Sequence, residues 1–175
     1  SKRKAAMLFF GLSFVFWVVS ALSRSTENAR LGIEASWDLP WVLEGSSLLT
    51  TALLFFLVWE IETRWPIAPG NILRKMTAHL AGTLVFSALH IVVMVMIREA
   101  YWLVVHASEY TYLREPLQDI LYDYRKDAVT YVTILMIIYL SRNLDIAQAE
   151  RLEARTNAAS RHRILLKCGG RTVML

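Results

Sequence analysis

Residues Leu80–Ile97 read LAGTLVFSALHIVVMVMI, and the run contains no charged residue. A bilayer core about 30 Å thick is crossed by roughly 20 mostly apolar helical residues, so this run has the length and composition of a membrane span. Three further runs surround it. Ala5–Leu22 is also uncharged, and Pro40–Trp59 carries only Glu44, near its start. Ala128–Leu140 is shorter, but the amphipathic residues before it can lengthen its helix. Runs of this kind, separated by charged loops in a chain of 175 residues, cannot all be hidden in one soluble core. They are continuous rather than alternating, which excludes a β-barrel. The expectation is an all-α membrane protein, a four-transmembrane-helix bundle. Ala5–Leu22 has a basic flank, but the residues after it offer no small-residue cleavage site, so it reads as a span and not as a signal peptide.

The distribution of Lys and Arg orients this bundle. In a four-span arrangement the N-terminal tail, the second loop and the C-terminal tail carry 13 basic residues, against 6 on the other side. The positive-inside rule then places both termini in the cytoplasm, N-in and C-in. Trp37 and Trp41, Trp59 and Trp65, Tyr101 and Trp102, and Tyr139 fall near the span ends, as amphipathic rings at the headgroup level should. The single cysteine, Cys168, lies in the C-terminal tail and can form no intrachain disulfide.

The loops differ in character. Residues 60–76 contain Pro66, Pro69 and Gly70 and read as a turn. Residues 98–127 form the sizeable external segment. Within it Glu115-Pro116 reads as a helix start, and Leu117, Ile120, Leu121 and Tyr124 recur on one helical face. Neither Gly nor Pro then appears before Gly169. One helix could therefore run from Leu117 through the fourth span toward Asn157, about 60 Å at 1.5 Å per residue. Arg142–Arg155 is rich in helix formers, and Leu140, Leu144 and Ala147 offer a seam that Arg151 interrupts. A parallel dimer and a solvated connector helix both fit this pattern.

After Asn157 the composition changes. Ile164–Lys167, Cys168-Gly169-Gly170 and Arg171–Leu175 read as strand, tight turn and strand. Two strands alone are marginal in water, so the expectation is a truncated C-terminal β-hairpin, the opening of a further domain. The chain thus divides into a four-helix transmembrane domain (1–141), a connector helix (142–160) and the start of that domain (161–175).

The terminal piece Arg163–Leu175 resembles the first hairpin of the LytTR DNA-binding domain: an apolar strand, a Gly-Gly turn and an Arg-Thr-apolar strand. Tyr124–Tyr131 resembles the entry to the last span in membrane-anchored LytTR regulators. The resemblance implies a bacterial inner-membrane protein in which a four-helix membrane part precedes a cytoplasmic DNA-binding domain. The strands and loops that contact DNA in that family would lie beyond Leu175, so no base-reading residue can be assigned and DNA is a partner only through that sequence. The bilayer is the other expected partner, with a homodimer or a larger membrane protein compatible.

Polar residues near or within the spans are the candidate sites. An ionisable group inside a bilayer is costly and marks a functional hypothesis. Glu44, His79 and His90 are such groups. His79 and His90 lie about 16 Å apart along one helix, and no other span offers a histidine, which argues against a haem held by two histidines. His90 reads as an interhelical hydrogen-bond partner. Glu44 can be solvated or can pair with an Arg at the outer end. Glu60, Glu62 and His79 form only a loose set for a metal. Gly45-Ser46-Ser47 is no nucleophile motif without a placed base and oxyanion donors. Arg161-His162-Arg163 lacks the helical pattern expected around a phosphoacceptor histidine. No cofactor and no enzymatic activity are expected.

The resulting expectation is a membrane sensor or anchor module of a LytTR-like transcriptional regulator. It would couple a membrane or periplasmic signal, or a partner, to the cytoplasmic domain. Arg125, Lys126, Asp127 and Tyr131 are the expected signal-transmitting junction, a charged collar where the amphipathic segment enters lipid. The alternative is a small accessory subunit of a larger inner-membrane complex with no transcriptional role.

Overall fold

The structure, a computed structural model, describes residues 2–33, 36–67, 70–107, 110, 112 and 115–167, with side chains described as far as residue 158. They form the helices α1 (Lys2–Arg30), α2 (Leu39–Arg64), α3 (Ile72–Val105) and α4 (Pro116–Lys167). All four are long and apolar enough to cross a membrane.

Local sequence explains where each helix stops. α1 ends in a Schellman motif: Ile33 N–H bonds to the Asn28 carbonyl, Gly32 N–H to the Ala29 carbonyl, and Gly32 takes φ +64°. α2 begins with Pro40 in its first turn, where a missing N–H is harmless. It closes at Trp65, whose N–H bonds to the Ile61 carbonyl, and Pro66 follows. α3 starts from Asn71 in the left-handed region, a conformation that asparagine tolerates better than most residues. It runs eight residues beyond the apolar run to Val105, and Ala107 just past its end holds φ +48°.

Around the bundle, α1 packs on α2 and α4, α3 packs on α2 and α4, and α2 meets α4 across the diagonal. The core is gathered toward the end that carries Lys4 and Arg142. Phe9 stacks on Phe55 at 4.9 Å, and Val58, Phe86, Ile134 and Ile138 are fully buried beside them. Outward-facing residues on every helix, such as Phe16, Leu53, Leu84 and Val132, are apolar and exposed. In water so continuous an apolar surface would be a liability, whereas in lipid it is the expected exterior.

α4 is one helix of 52 residues, starting at the proline that marks its first turn. It passes unbroken through the boundaries expected at residues 141 and 160. It also includes Ile164–Lys167, read from sequence as the first strand of a hairpin; these residues are helical. Leucine and lysine are good helix formers, and extending an existing helix adds a backbone bond per residue, whereas a strand without a sheet adds none. Residues 168–175, with Cys168 and the second expected strand, lie outside the described residues. Among the described residues there is no strand.

Candidate functional site

α3 presents a polar stripe to α4. His79, Thr83, Ser87 and His90 are spaced by four, four and three residues, so they fall on one helical face. Tyr124, Asp127 and Tyr131 of α4 are spaced likewise, and the two stripes meet. Ser87 Oγ donates to Asp127 Oδ2 at 2.7 Å. His90 Nδ1 stands 2.8 Å from Asp127 Oδ1, a contact close enough for ion pairing but off the line of a hydrogen bond. The Tyr131 hydroxyl lies 3.1 Å from His79 Nδ1. Ser87, His90, Asp127 and Tyr131 are all buried. Gly82 makes this approach possible, because a Cβ there would lie 2.5 Å from the Tyr131 hydroxyl.

The His79 ring is fixed from both sides. Its Nε2 lies 3.0 Å from the Trp65 carbonyl and 3.5 Å from Glu62 Oε2. A carbonyl only accepts, so Nε2 carries a proton. In the neutral ring Nδ1 then accepts from Tyr131. Glu62, also buried, accepts from Arg142 at 2.7 Å and from the Ile67 N–H at 3.3 Å. Lys4 reaches Asp145 and Gln148 at 2.8 and 3.2 Å. α4 is thus tied to the other helices at successive levels: through Asp127, Tyr131, Arg142 and Asp145.

Toward the opposite end the bundle opens. A cavity of about 630 Å³ is lined by all four helices. Its apolar wall includes Leu12, Phe16 and Val19 of α1 and Val129 and Ile137 of α4. His90 and Asp127 reach it from the polar stripe and Ser47 from α2, and Arg24, Glu44, Arg98, Asp123 and Lys126 line its charged end. Arg24 pairs with Glu44 at 2.8 Å. Arg98 donates to Ser46 Oγ, the Leu43 carbonyl and the Tyr110 hydroxyl at 2.8–3.0 Å. The Tyr112 hydroxyl donates to Asp123, and burial together with that carboxylate pushes the phenol well above its usual range.

The expected site residues divide. Asp127 and Tyr131 are held inside the bundle rather than in a surface collar. Arg125 is exposed and bonds back to the Leu121 carbonyl, and Lys126 lies exposed over the Tyr122 ring at 5.2 Å. His90 bridges helices, and Glu44 pairs with an Arg. Glu60 turns away to Arg64, so it does not join Glu62 and His79. Among the described residues, no group of three or more His, Cys, Asp or Glu residues is placed to hold a metal ion. Arg142, Ser87 and Arg98 were not singled out from sequence, and Glu62 was considered there only as part of a loose metal set. The four-residue spacing of His79, Thr83 and Ser87 is a signal in the sequence from which this polar stripe could have been read.

Ser47 Oγ lies 3.1 Å from His90 Nε2, which puts a hydroxyl, an imidazole and a carboxylate in series. Acyl transfer also needs donors aimed at an oxyanion. Ser47 sits in mid-helix, where neighbouring N–H groups are engaged in the α2 ladder. The series suits joining α2, α3 and α4 at the cavity wall. Comparison with models of known protein families, with curated proteins and with solved structures finds no match.

Proposed function

We propose that this chain is the membrane sensor module of a LytTR-like transcriptional regulator in a bacterial inner membrane, with both termini cytoplasmic. The continuity of α4 carries this reading. One 52-residue helix, about 78 Å long at 1.5 Å per residue, joins the cavity end of the bundle to a connector that leaves it at the other end. A change at Asp127, on the cavity wall, reaches the connector only by moving a helix that Tyr131, Arg142 and Asp145 also hold. Such an element favours two discrete positions over gradual bending, which is what a transmitter requires. The excess of basic residues at the Lys4 end supports the orientation, and the Arg163–Leu175 resemblance supports the nature of the output domain.

The test is a comparison of transcripts from cells carrying the intact gene and cells in which the coding sequence is interrupted before Arg142. A small, reproducible set of altered promoters is expected, restored by the intact gene. An unchanged transcript profile, with the chain copurifying with larger membrane subunits, would overturn the regulatory reading in favour of an accessory subunit.

A further inference from the structure

The charged end of the cavity holds two cations that no carboxylate among the described residues neutralises. Arg24 and Glu44 satisfy each other. Asp123 accepts from Tyr112, and Asp127 accepts from Ser87 and faces His90. Among the described residues, Arg98 and Lys126 have no carboxylate within ion-pair distance, and both line the cavity. Arg98 is preorganised. A guanidinium has five N–H donors; Ser46, Leu43 and Tyr110 take three of them, and these neutral acceptors fix the guanidinium plane. The remaining donors form part of a fork suited to a phosphate or carboxylate. Below this end the wall is apolar. From Phe9 to Arg24 the α1 lining is about 22 Å long at 1.5 Å per residue. Leu12, Phe16 and Val129 line the cavity and are also exposed at the bundle surface, so it opens sideways toward whatever surrounds the helices. A volume of about 630 Å³ lies in the range of small-molecule sites.

We infer that this cavity binds an anionic lipid, with a phosphate or carboxylate headgroup on Arg98 and Lys126 and an acyl chain along Leu12, Phe16 and Val129. Both parts of the site call for an amphiphile: a water-soluble anion would leave the apolar wall uncovered, and a hydrocarbon would leave the remaining Arg98 donors unused. The chain enters laterally and lies between α1 and α4, where its presence sets their separation. Binding follows from the cavity itself and holds whether or not the chain regulates transcription.

The test is native mass spectrometry of the 175-residue chain, released from bilayer discs or detergent loaded with phosphatidylglycerol, phosphatidylcholine or palmitate. Phosphatidylglycerol or palmitate should be retained over phosphatidylcholine by on the order of tenfold, the size of effect expected for charge-assisted hydrogen bonds. Retention of phosphatidylglycerol alone assigns the ligand to the bilayer phospholipids; retention of palmitate assigns it to free fatty acids. Lys126→Gln and Arg98→Gln should each reduce retention. Thr130→Trp, which fills the cavity from α4, should abolish it, and Arg64→Gln at the other end should have no effect. Should Arg98→Gln fail to fold, Lys126→Gln still reads the site, because that side chain is exposed and its contact among the described residues is with the Tyr122 ring. Equal retention of the three lipids, or retention untouched by Lys126→Gln and Thr130→Trp, would overturn the assignment.

Discussion

His90 Nδ1 stands 2.8 Å from Asp127 Oδ1, with both side chains buried, and this contact joins α3 to α4 at the wall of the cavity. Asp127→Ala leaves the imidazole facing no charge and Ser87 without its acceptor. Leaving buried polar groups without their partner costs about 1–3 kcal/mol, so detergent-solubilised protein should melt below the wild type. His90→Ala together with Asp127→Ala should cost less than the sum of the two single changes, because the second removes a group the first has already stranded. Strict additivity would show that the two side chains do not interact.

Gly82 and Tyr131 test the close approach of α3 to α4. A Cβ at residue 82 would lie 2.5 Å from the Tyr131 hydroxyl and 3.1 Å from the ring carbon bearing it. Gly82→Ala should therefore destabilise by about 1–3 kcal/mol, the usual cost of overpacking. Tyr131→Phe alone removes the bond to His79 and should cost about 1 kcal/mol. Combined, the two should cost less than their sum, since the clashing oxygen is gone. Denaturation in detergent of the four variants closes the cycle.

Ala107 holds φ +48° immediately after the α3 cap at His106. A left-handed conformation costs a Cβ-bearing residue roughly 1–2 kcal/mol, which glycine avoids. Ala107→Gly should raise stability by about 1 kcal/mol, less whatever glycine loses in chain entropy. A lower melting temperature would contradict the backbone assignment there.

Asp38 accepts hydrogen bonds from Ser36 and from Tyr101, and these hold its carboxyl below the ordinary value of 3.8. Both bonds favour the ionised form. A folded value below the unfolded one contributes stability above pH 3.8, and that stability is lost as the pH falls through the lower folded value. The melting difference between wild type and Tyr101→Phe should be present at neutral pH and shrink in acid below 3.8. A gap that widens on acidification would reverse the sign and reject the link.

What sequence reveals of this molecule follows from the physics of each element. Four helices are legible because apolar length is a property of single runs, and the start of α4 because Glu115-Pro116 is a local signal. Glu44 and His90 were legible as groups needing partners, since burying a polar atom demands one. Which partners they take is a matter of tertiary register: that Asp127 meets His90, or that Glu62 reaches Arg142 eighty residues on, depends on how α4 lies against α2 and α3. Asp127 also sits beside Arg125 and Lys126 in a charged run that resembles a surface collar. Only the spacing of its neighbours with Tyr131 places it on the inward face. The helix at Ile164–Lys167 was hidden for a related reason, because β-prone residues follow the helix already propagating into them.

The length of α4 supplies the last prediction. Among the described residues, side-chain bonds between its connector and the bundle reach as far as Gln148, where Lys4 bonds to it, and the helix continues to Lys167. Ala154→Pro breaks the helix beyond those contacts. It removes a backbone bond and costs roughly 3 kcal/mol or more locally. The bundle should be indifferent, because Asp127, Tyr131, Arg142 and Asp145 keep their partners. Its melting in detergent should change by no more than about 0.5 kcal/mol, as for other substitutions remote from packed features, while helix content falls slightly. If α4 conveys the state of the cavity, the altered promoters that mark an interrupted gene should change in the same direction in the proline variant, although the protein still inserts. Ala154→Glu should behave as wild type, since it keeps the helix. A proline variant with normal transcripts would mean that the rod is not the transmitter, and that the bundle acts as a tether or as a subunit of something larger.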